Sequence, residues 1–548
     1  MGAGVLTRQS VRGATALRGG RSWRPTPYQV LGFAFWLLMS LAWFRVPLCC
    51  DAGQHAAVVE RLRASLLHPR HPMADLPGAG SPYYSPYAVA EGAFARWTGL
   101  TGWDVVRLAG PVNLVVLLTG VGRFTRALTT RAWAPVLALA AMTLLWGTER
   151  AWWSGYLGLM SMTGNLGYPS TFAIGLSFWA WAWTLVLARD AAPVRFVGPR
   201  GMRGLTSYAA LGLLYALVLL VHPITAVASA LGAVACVAGE QRWGSRIRPP
   251  RERARRRRGL LLRWSLTAAV AGCAAAAWPY FDVLALAGDD SVDALHRRLY
   301  LDLGGHFWLA LIGLPALWLR ARRAGARPGT DARGGVRGAA RSARDPLVLM
   351  FALDCLAVAY GWFSGHYTYG RILGLTLVAP QFALAVELAR PRPWRRGLRL
   401  LGTAAAAGAC LGLLTVQAGA VVPRSLDPVG LDQPPRWPSY AWAAQHLRRG
   451  DVVITDGYYA VHTVAGYGAN LAAPAWPDAS LDETVRRERL ADVRTYLAPT
   501  TDRARRTAIA HRYHVRWLLL TRWHPVPAEA VVVAWSARTG EVLARVAG

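Results

Sequence analysis

The chain has 548 residues, 54% of them hydrophobic and 25 of them Trp, and carries a formal charge of +31. Long, nearly uncharged apolar stretches recur along it, which excludes a set of soluble domains and reads as a multi-pass membrane protein. The positive charge sits mainly in short segments between those stretches, where positive-inside topology and anionic lipid headgroups account for it, so membrane lipids and not nucleic acid are the expected partners. All 61 basic side chains are Arg. With no Lys in the chain, a Schiff base or a Walker-type phosphate loop is excluded. Cys236, Cys273, Cys355 and Cys410 fall inside apolar runs and Cys49 and Cys50 are adjacent, so no disulfide framework or metal spacing emerges.

In chain order, residues 1–27 form a basic, Gly-rich segment. The first apolar run, 28–48, lacks a small-residue cleavage site and reads as a retained helix. Further spans are predicted near 105–118, 132–146, 169–187, 264–286, 307–319, 346–363, 372–388 and 398–421, with a pair of short helices at 205–221 and 225–240 broken at His222-Pro223. With the N-terminus in the cytoplasm, the Arg-rich segments starting near 123, 189, 241, 320 and 390 all fall inside. The segments 51–100, 148–168, 222, 287–305 and 364–370 fall outside, and so does everything after 421.

The fold class predicted is therefore an α-helical polytopic membrane protein of about 11 transmembrane helices, with a small C-terminal extracytoplasmic α/β domain. Residues 28–421 form the membrane module, with a first loop at 49–104, and residues 422–548 form the tail. In the tail, 451–456 (DVVITD), VRWLLLT, AVVVAW and EVLARV are strand patterns, and 437–447, 481–497 and 502–513 are helix-like.

Asp51 sits where the first apolar helix leaves the bilayer, and an ionisable group at that depth is a functional candidate. The Pro- and Tyr-rich run SPYYSPY follows in the first loop, TGNLGYPSTFAIGL precedes the fourth span, and HPITA begins at His222. With the odd span count and the α/β tail, these features resemble the GT-C glycosyltransferases that use polyprenyl-phosphate sugars in bacterial cell envelopes. The resemblance implies an inverting membrane glycosyltransferase. Its donor would be a polyprenyl-phosphate monosaccharide and its acceptor an envelope glycan, a glycolipid or a secreted protein. The resemblance also leads to the expectation of a second acid near the first; Glu60, Asp75 and Glu91 compete for that place.

Such a reaction needs a base for the acceptor hydroxyl and cations for the phosphate leaving group. Asp51 suits the first role, against the plainer reading of a helix-capping acid. Arg371, in SGHYTYGRILG beside His366, Tyr367 and Tyr369, suits the second, against an interfacial anchor. Arg298, with its neighbour Arg297, is the alternative clamp. His55 lies four residues after Asp51 on the same helix face. Asp51, His55, His68 and His71 are a possible divalent-cation set (Mg or Mn), against ordinary loop histidines. His222, Tyr84 and Tyr87, with Tyr83, Trp97 and Trp103, are candidates for sugar or lipid contact, against an aromatic belt. Asp456, Tyr458, Tyr459 and His462 form a polar cluster in the tail that offers an acceptor contact. Two rival readings stay open. A transporter or flippase of a lipid-linked sugar predicts polar groups at mid-membrane depth, for which Asp282 and Asp354 are the candidates. The other rival is a non-catalytic envelope assembly protein.

Overall fold

A computed structural model describes residues 24–76, 80–189, 199–240, 250–288, 290–325, 345–391 and 396–547. The basic segment before residue 24 and large parts of the Arg-rich stretches starting near 189, 241, 320 and 390 lie outside the described residues.

Each predicted span is helical, and among the described residues nine helices are long and apolar enough to cross a membrane. The pair around His222 is not short: Pro199–Val221 and Pro223–Glu240 both reach spanning length. Two expected spans depart from regular form. The third is the helix Ala134–Leu144, of 11 residues, which at 1.5 Å per residue covers about half the hydrocarbon. The eighth belongs to a pair, Asp293–Tyr300 and Leu303–Ala324, bent by 71°. Ser154, His296 and Arg371, from three separate loops, are in direct contact. The bent pair, counted as one span, makes ten candidate crossings among the described residues, and the tail docks beside the first loop.

The first turns follow their caps. Helix α1 (Pro27–Arg45) opens on a Thr26–Gln29 capping box with Pro27 at its first position. Two juxtamembrane helices follow, α2 (Ala52–Ala64) and α3 (Pro86–Thr98), the latter capped by Ser85. Helix α4 (Gly102–Leu128) contains Pro111, which has no N–H for the carbonyl of Arg107. The Trp43 indole of α1 donates to that carbonyl at 2.8 Å, and Trp36 donates to Pro111 O at 3.0 Å. Gly110 permits the crossing: a Cβ there would stand 2.8 Å from two Trp43 ring carbons. The opposite face of α1 leaves Val30, Phe33, Leu37 and Leu41 exposed, as a lipid-facing stripe requires.

The tail builds one five-stranded sheet in the order β2-β1-β3-β5-β4, from β1 (Val452–Thr455), β2 (Asn470–Leu471), β3 (Val515–Leu520), β4 (Ala530–Trp535) and β5 (Val542–Val546). Strand β1 is parallel to β2 and β3, while β5 is antiparallel to β3 and β4. Helices Glu483–Leu497 and Arg503–Arg512 lie where charged faces were read, but the expected helix at 437–447 shrinks to Ala441–Ala444.

The tail docks on the first loop. Ala74 pairs with Leu471 beyond the edge strand β2, with Leu471 N–H donating to Met73 O at 2.7 Å. Arg61 of α2 donates to Gly468 O and Ala469 O at 3.1 and 2.9 Å. Gly53 lies against the tail backbone, and a Cβ there would stand 2.7 Å from Thr463 Cα. The buried Asp478 carboxylate accepts from Ser81 Oγ at 2.6 Å and faces His71 Nε2 at 3.4 Å.

Candidate active site

Asp51 occupies the turn between α1 and α2. The residue before it, Cys50, is held at φ +58°, a left-handed conformation that costs an L-residue about 1–2 kcal/mol. Such strain concentrates where geometry is imposed for function. The turn is fixed by Tyr168, whose hydroxyl donates to Cys49 O at 2.6 Å. Tyr168 is buried and comes from the TGNLGYPS motif. Asn113 holds that motif by donating to Leu166 O at 2.8 Å. Asp51 opens α2 without making a side-chain cap bond, so the capping reading finds no support. Burial raises the Asp51 carboxyl above the ordinary carboxylate range, and the Arg371 charge pulls it part of the way back.

Arg371 lies in the turn Tyr367–Ile372. Its Nη1 approaches His296 Nε2 at 3.2 Å, and its Nη2 donates to Ser154 O at 3.2 Å. Its Nε is shut off from solvent with no acceptor, and Arg371 forms no salt bridge among the described residues. The guanidinium also lies 5.8 Å from the Trp153 ring. Because Arg371 donates to Nε2, His296 is held as the tautomer that donates from Nδ1 to Thr368 Oγ1, 2.9 Å away. Asp293 fixes the turn itself, accepting from Thr368 N–H at 2.7 Å and pairing with His366 Nδ1 at 3.3 Å.

His55 stacks edge-on to Tyr168 at 4.7 Å and faces Tyr83 at 6.1 Å. Burial lowers its pKa to about 4, so the ring is neutral at neutral pH. His222 uses Nδ1 to cap the next helix, accepting from Thr225 N–H at 3.2 Å. It remains within electrostatic range of Arg371, His55 and His296.

Other sequence candidates are elsewhere. Tyr84 is fully buried, with its hydroxyl on Arg70 O, and Tyr87 is buried with its oxygen accepting from Asn113 at 3.0 Å. Neither offers a face to a sugar, because both are packing residues of the loop. Tyr367 packs against Tyr300 and Trp362, and Tyr369 against Tyr360, so neither joins Arg371. Arg298 is exposed, and its charge is felt by Tyr458. Asp282 lies in a loop, whereas Asp354 is buried within the Pro346–Ser364 helix. Asp456 accepts from Thr521 N–H at 2.8 Å, which is the strand-end role.

The four possible metal ligands are not gathered. His68 is exposed and His71 faces Asp478, and no cluster of three or more His, Cys, Asp or Glu suited to a metal occurs among the described residues. The residues present do not fit a cation cage. For the second acid, Glu60 accepts from Gly102 N–H at 2.7 Å and pairs with Arg449 at 3.0 Å, a structural role. Asp75 pairs with Arg70 at 3.5 Å. Glu91 is driven by burial up to about 8, beside Tyr87.

Sequence reasoning missed His296, Ser154, Asp293 and Tyr156, whose buried hydroxyl has no partner and lies within electrostatic range of Arg371. The only available signals were a His and an Asp in one polar loop and the Gly- and Ser-rich motif of another.

No family model and no curated protein sequence matches the chain. Among solved structures, it is similar to the arabinofuranosyltransferase AftD from Mycobacteria (TM-score 0.53, 14% identity, 95% of this chain and 40% of that one). ArnT from Cupriavidus metallidurans gives TM-score 0.49 at 16% identity over 94% and 97% of the two chains. The archaeal oligosaccharyltransferase AglB from Archaeoglobus fulgidus gives 0.46 at 11% over 90% and 70%. The chain spans about two fifths of the length of AftD. At 14% identity the likeness is one of fold, shared over 95% of this chain.

Proposed function

We propose that the chain is a membrane glycosyltransferase that moves a monosaccharide from a polyprenyl-phosphate donor to an envelope glycan, glycolipid or secreted-protein acceptor. The observation that carries the reading is Arg371: a half-buried guanidinium whose Nε is shut off with no acceptor and which forms no salt bridge among the described residues, the Asp51 carboxylate lying only within electrostatic range. A shielded guanidinium that keeps a free donor is suited to take an anion. The planar fork of Arg suits phosphate oxygens. Beside this turn an apolar groove of about 470 Å³ runs along Tyr300, Cys355, Val358, Trp362, Leu373 and Thr376. A lipid phosphate fits both features, with its head on Arg371 and its chain in the groove. The GT-C fold, shared with an arabinofuranosyltransferase, agrees with this chemistry.

In this reading Asp51 takes the proton of an acceptor hydroxyl. That oxygen forms a bond to the anomeric carbon as the bond from that carbon to the phosphate oxygen breaks, with inversion. The lipid phosphate departs with its negative charge on Arg371, and the proton stays on Asp51 until solvent removes it. A raised carboxyl pKa makes Asp51 a stronger base than a surface carboxylate. In this reading the neutral His55 and His222 would hydrogen-bond the sugar. The N-terminus lies in the cytoplasm, and the tail and site lie on the extracytoplasmic side. The test is transfer of a labelled sugar from a polyprenyl-phosphate sugar in proteoliposomes: Asp51→Asn abolishes it, and a variant with full activity refutes the mechanism.

A further inference from the structure

We propose that the tail carries a subsite for an acidic segment of a glycan, in a cleft walled by Tyr459. A cleft of about 290 Å³ lies between Arg436, Trp437, Tyr459, Arg522, Trp523 and Arg538. That size, at the low end for ligand pockets, suits one or two sugar rings.

Three features give the cleft its chemistry. First, it is cationic. None of Arg436, Arg522 and Arg538 forms an ion pair among the described residues. The nearby carboxylates are turned to other partners. Glu541, which lines the cleft, is buried and accepts from Tyr440 Oη and Thr539 Oγ1, both at 2.7 Å. Asp456 holds Thr521. Second, the fold brings two of the arginines together. Arg522 follows β3 and Arg538 lies in the β4–β5 turn, where Gly540 adopts φ +73°. A Cβ on Gly540 would stand 3.1 Å from Arg522 Cβ, so glycine there permits the approach. Third, the walls are aromatic. Trp523 is 79% exposed with the Arg522 guanidinium 4.1 Å from its ring, and Trp437 stands edge-on to Tyr459 at 5.0 Å. The apolar face of a sugar ring stacks on such surfaces, and the guanidinium forks take its carboxylate or phosphate.

Position ties the cleft to the site. Tyr459 is a wall of the cleft, and its ring lies 5.5 Å from that of Tyr458. Tyr458 is exposed and stands edge-on to His462 at 4.8 Å, and the backbone at Thr463 packs on Gly53, two residues after Asp51. A glycan seated in the cleft thus extends past Tyr458 towards the carboxylate. The assignment as an acceptor subsite rests on the glycosyl-transfer reading, but binding is measured without transfer.

The experiment uses the full chain in nanodiscs of zwitterionic lipid, with trigalacturonate as the acidic probe and maltotriose as the neutral one, read by saturation-transfer NMR. The expected result is at least tenfold tighter binding of trigalacturonate, lost at least tenfold in Arg522→Ala/Arg538→Ala and weakened in Trp523→Ala. Retention of polyprenyl phosphate by the same variants stays unchanged, which separates failure of this subsite from failure of the donor site. Equal binding of the two probes, no binding of either, or binding indifferent to the arginines overturns the proposal. If the same arginines instead govern adhesion to phosphatidylglycerol vesicles while trigalacturonate is ignored, the cleft is a lipid-headgroup contact and the glycan proposal is overturned.

Discussion

Arg371 directs Nη1 at His296 Nε2, 3.2 Å away, where a half-buried guanidinium usually meets a carboxylate. A neutral imidazole positions the cation without neutralising it. The fork is thereby oriented, fixed by Ser154 O on the other Nη, and still electrostatically available. Replacing Arg371 by Ala removes the charge-assisted hydrogen bonds that the reading assigns to the phosphate. Two such bonds are worth about 3 kcal/mol, roughly 100-fold in Kd for a lipid phosphate. Arg371→Lys keeps the charge but not the fork, so titration with a short-chain prenyl phosphate should show partial rescue only. Full rescue by Lys would show that charge alone suffices.

The pH profile of transfer follows from Asp51. A base works only when deprotonated, and burial places this carboxyl above the ordinary carboxylate range. Activity should therefore rise with pH through a limb displaced upward from ~4. Because the Arg371 charge lowers the Asp51 pKa, Arg371→Ala should move that limb further up as well as reduce the rate. A limb that stays in place in this variant would show that the two groups do not communicate.

Arg61 ties α2 to the tail through two carbonyls and the side chain of Asn470. Arg61→Ala leaves those buried acceptors without a charged donor, a loss of about 3 kcal/mol or more in docking. Hydrogen exchange should then rise at Gly468–Leu471 and in the Met73–Ala74 segment, while the membrane helices stay protected. Protection unchanged in both segments would show that the sheet pairing holds the tail without Arg61.

Asp478 gives docking a pH dependence. Burial pushes its carboxyl up, but the facing His71 imidazole and hydrogen bonds from Ser480 and Ser81 outweigh that and hold it below the usual value. A depressed carboxylate stabilises the folded form above its unfolded pKa of ~3.9 and loses that stability as pH falls through the folded value. Asp478→Asn should loosen the tail at neutral pH and flatten the acid dependence of its proteolysis. An unchanged acid profile would place the sensitivity elsewhere.

Much of this architecture was legible because it rests on local signals. Apolar runs set the helices, and Pro and capping residues set several of their starts. Asp51 and Arg371 stood out because ionisable groups at span ends are costly. The errors came from long-range packing. Tyr84 and Tyr87 look like ligand-facing aromatics until their hydroxyls are seen bonded to Arg70 O and Asn113. Tyr367 and Tyr369 adjoin Arg371 in sequence but pack on Tyr300, Trp362 and Tyr360. The 11-residue Ala134–Leu144 helix and the bent pair before residue 325 depart from the span length a hydropathy reading assumes. His296 and Ser154 reach Arg371 from 75 and 217 residues away in sequence, beyond any periodicity.

The most direct test of the central claim is native mass spectrometry of the full chain in mild detergent with added polyprenyl phosphate, beside Arg371→Ala and Asp51→Asn. The account predicts that the wild type and Asp51→Asn retain the lipid phosphate and that Arg371→Ala loses it. Retention by Arg371→Ala equal to the wild type, or no retention by any of the three, would contradict it.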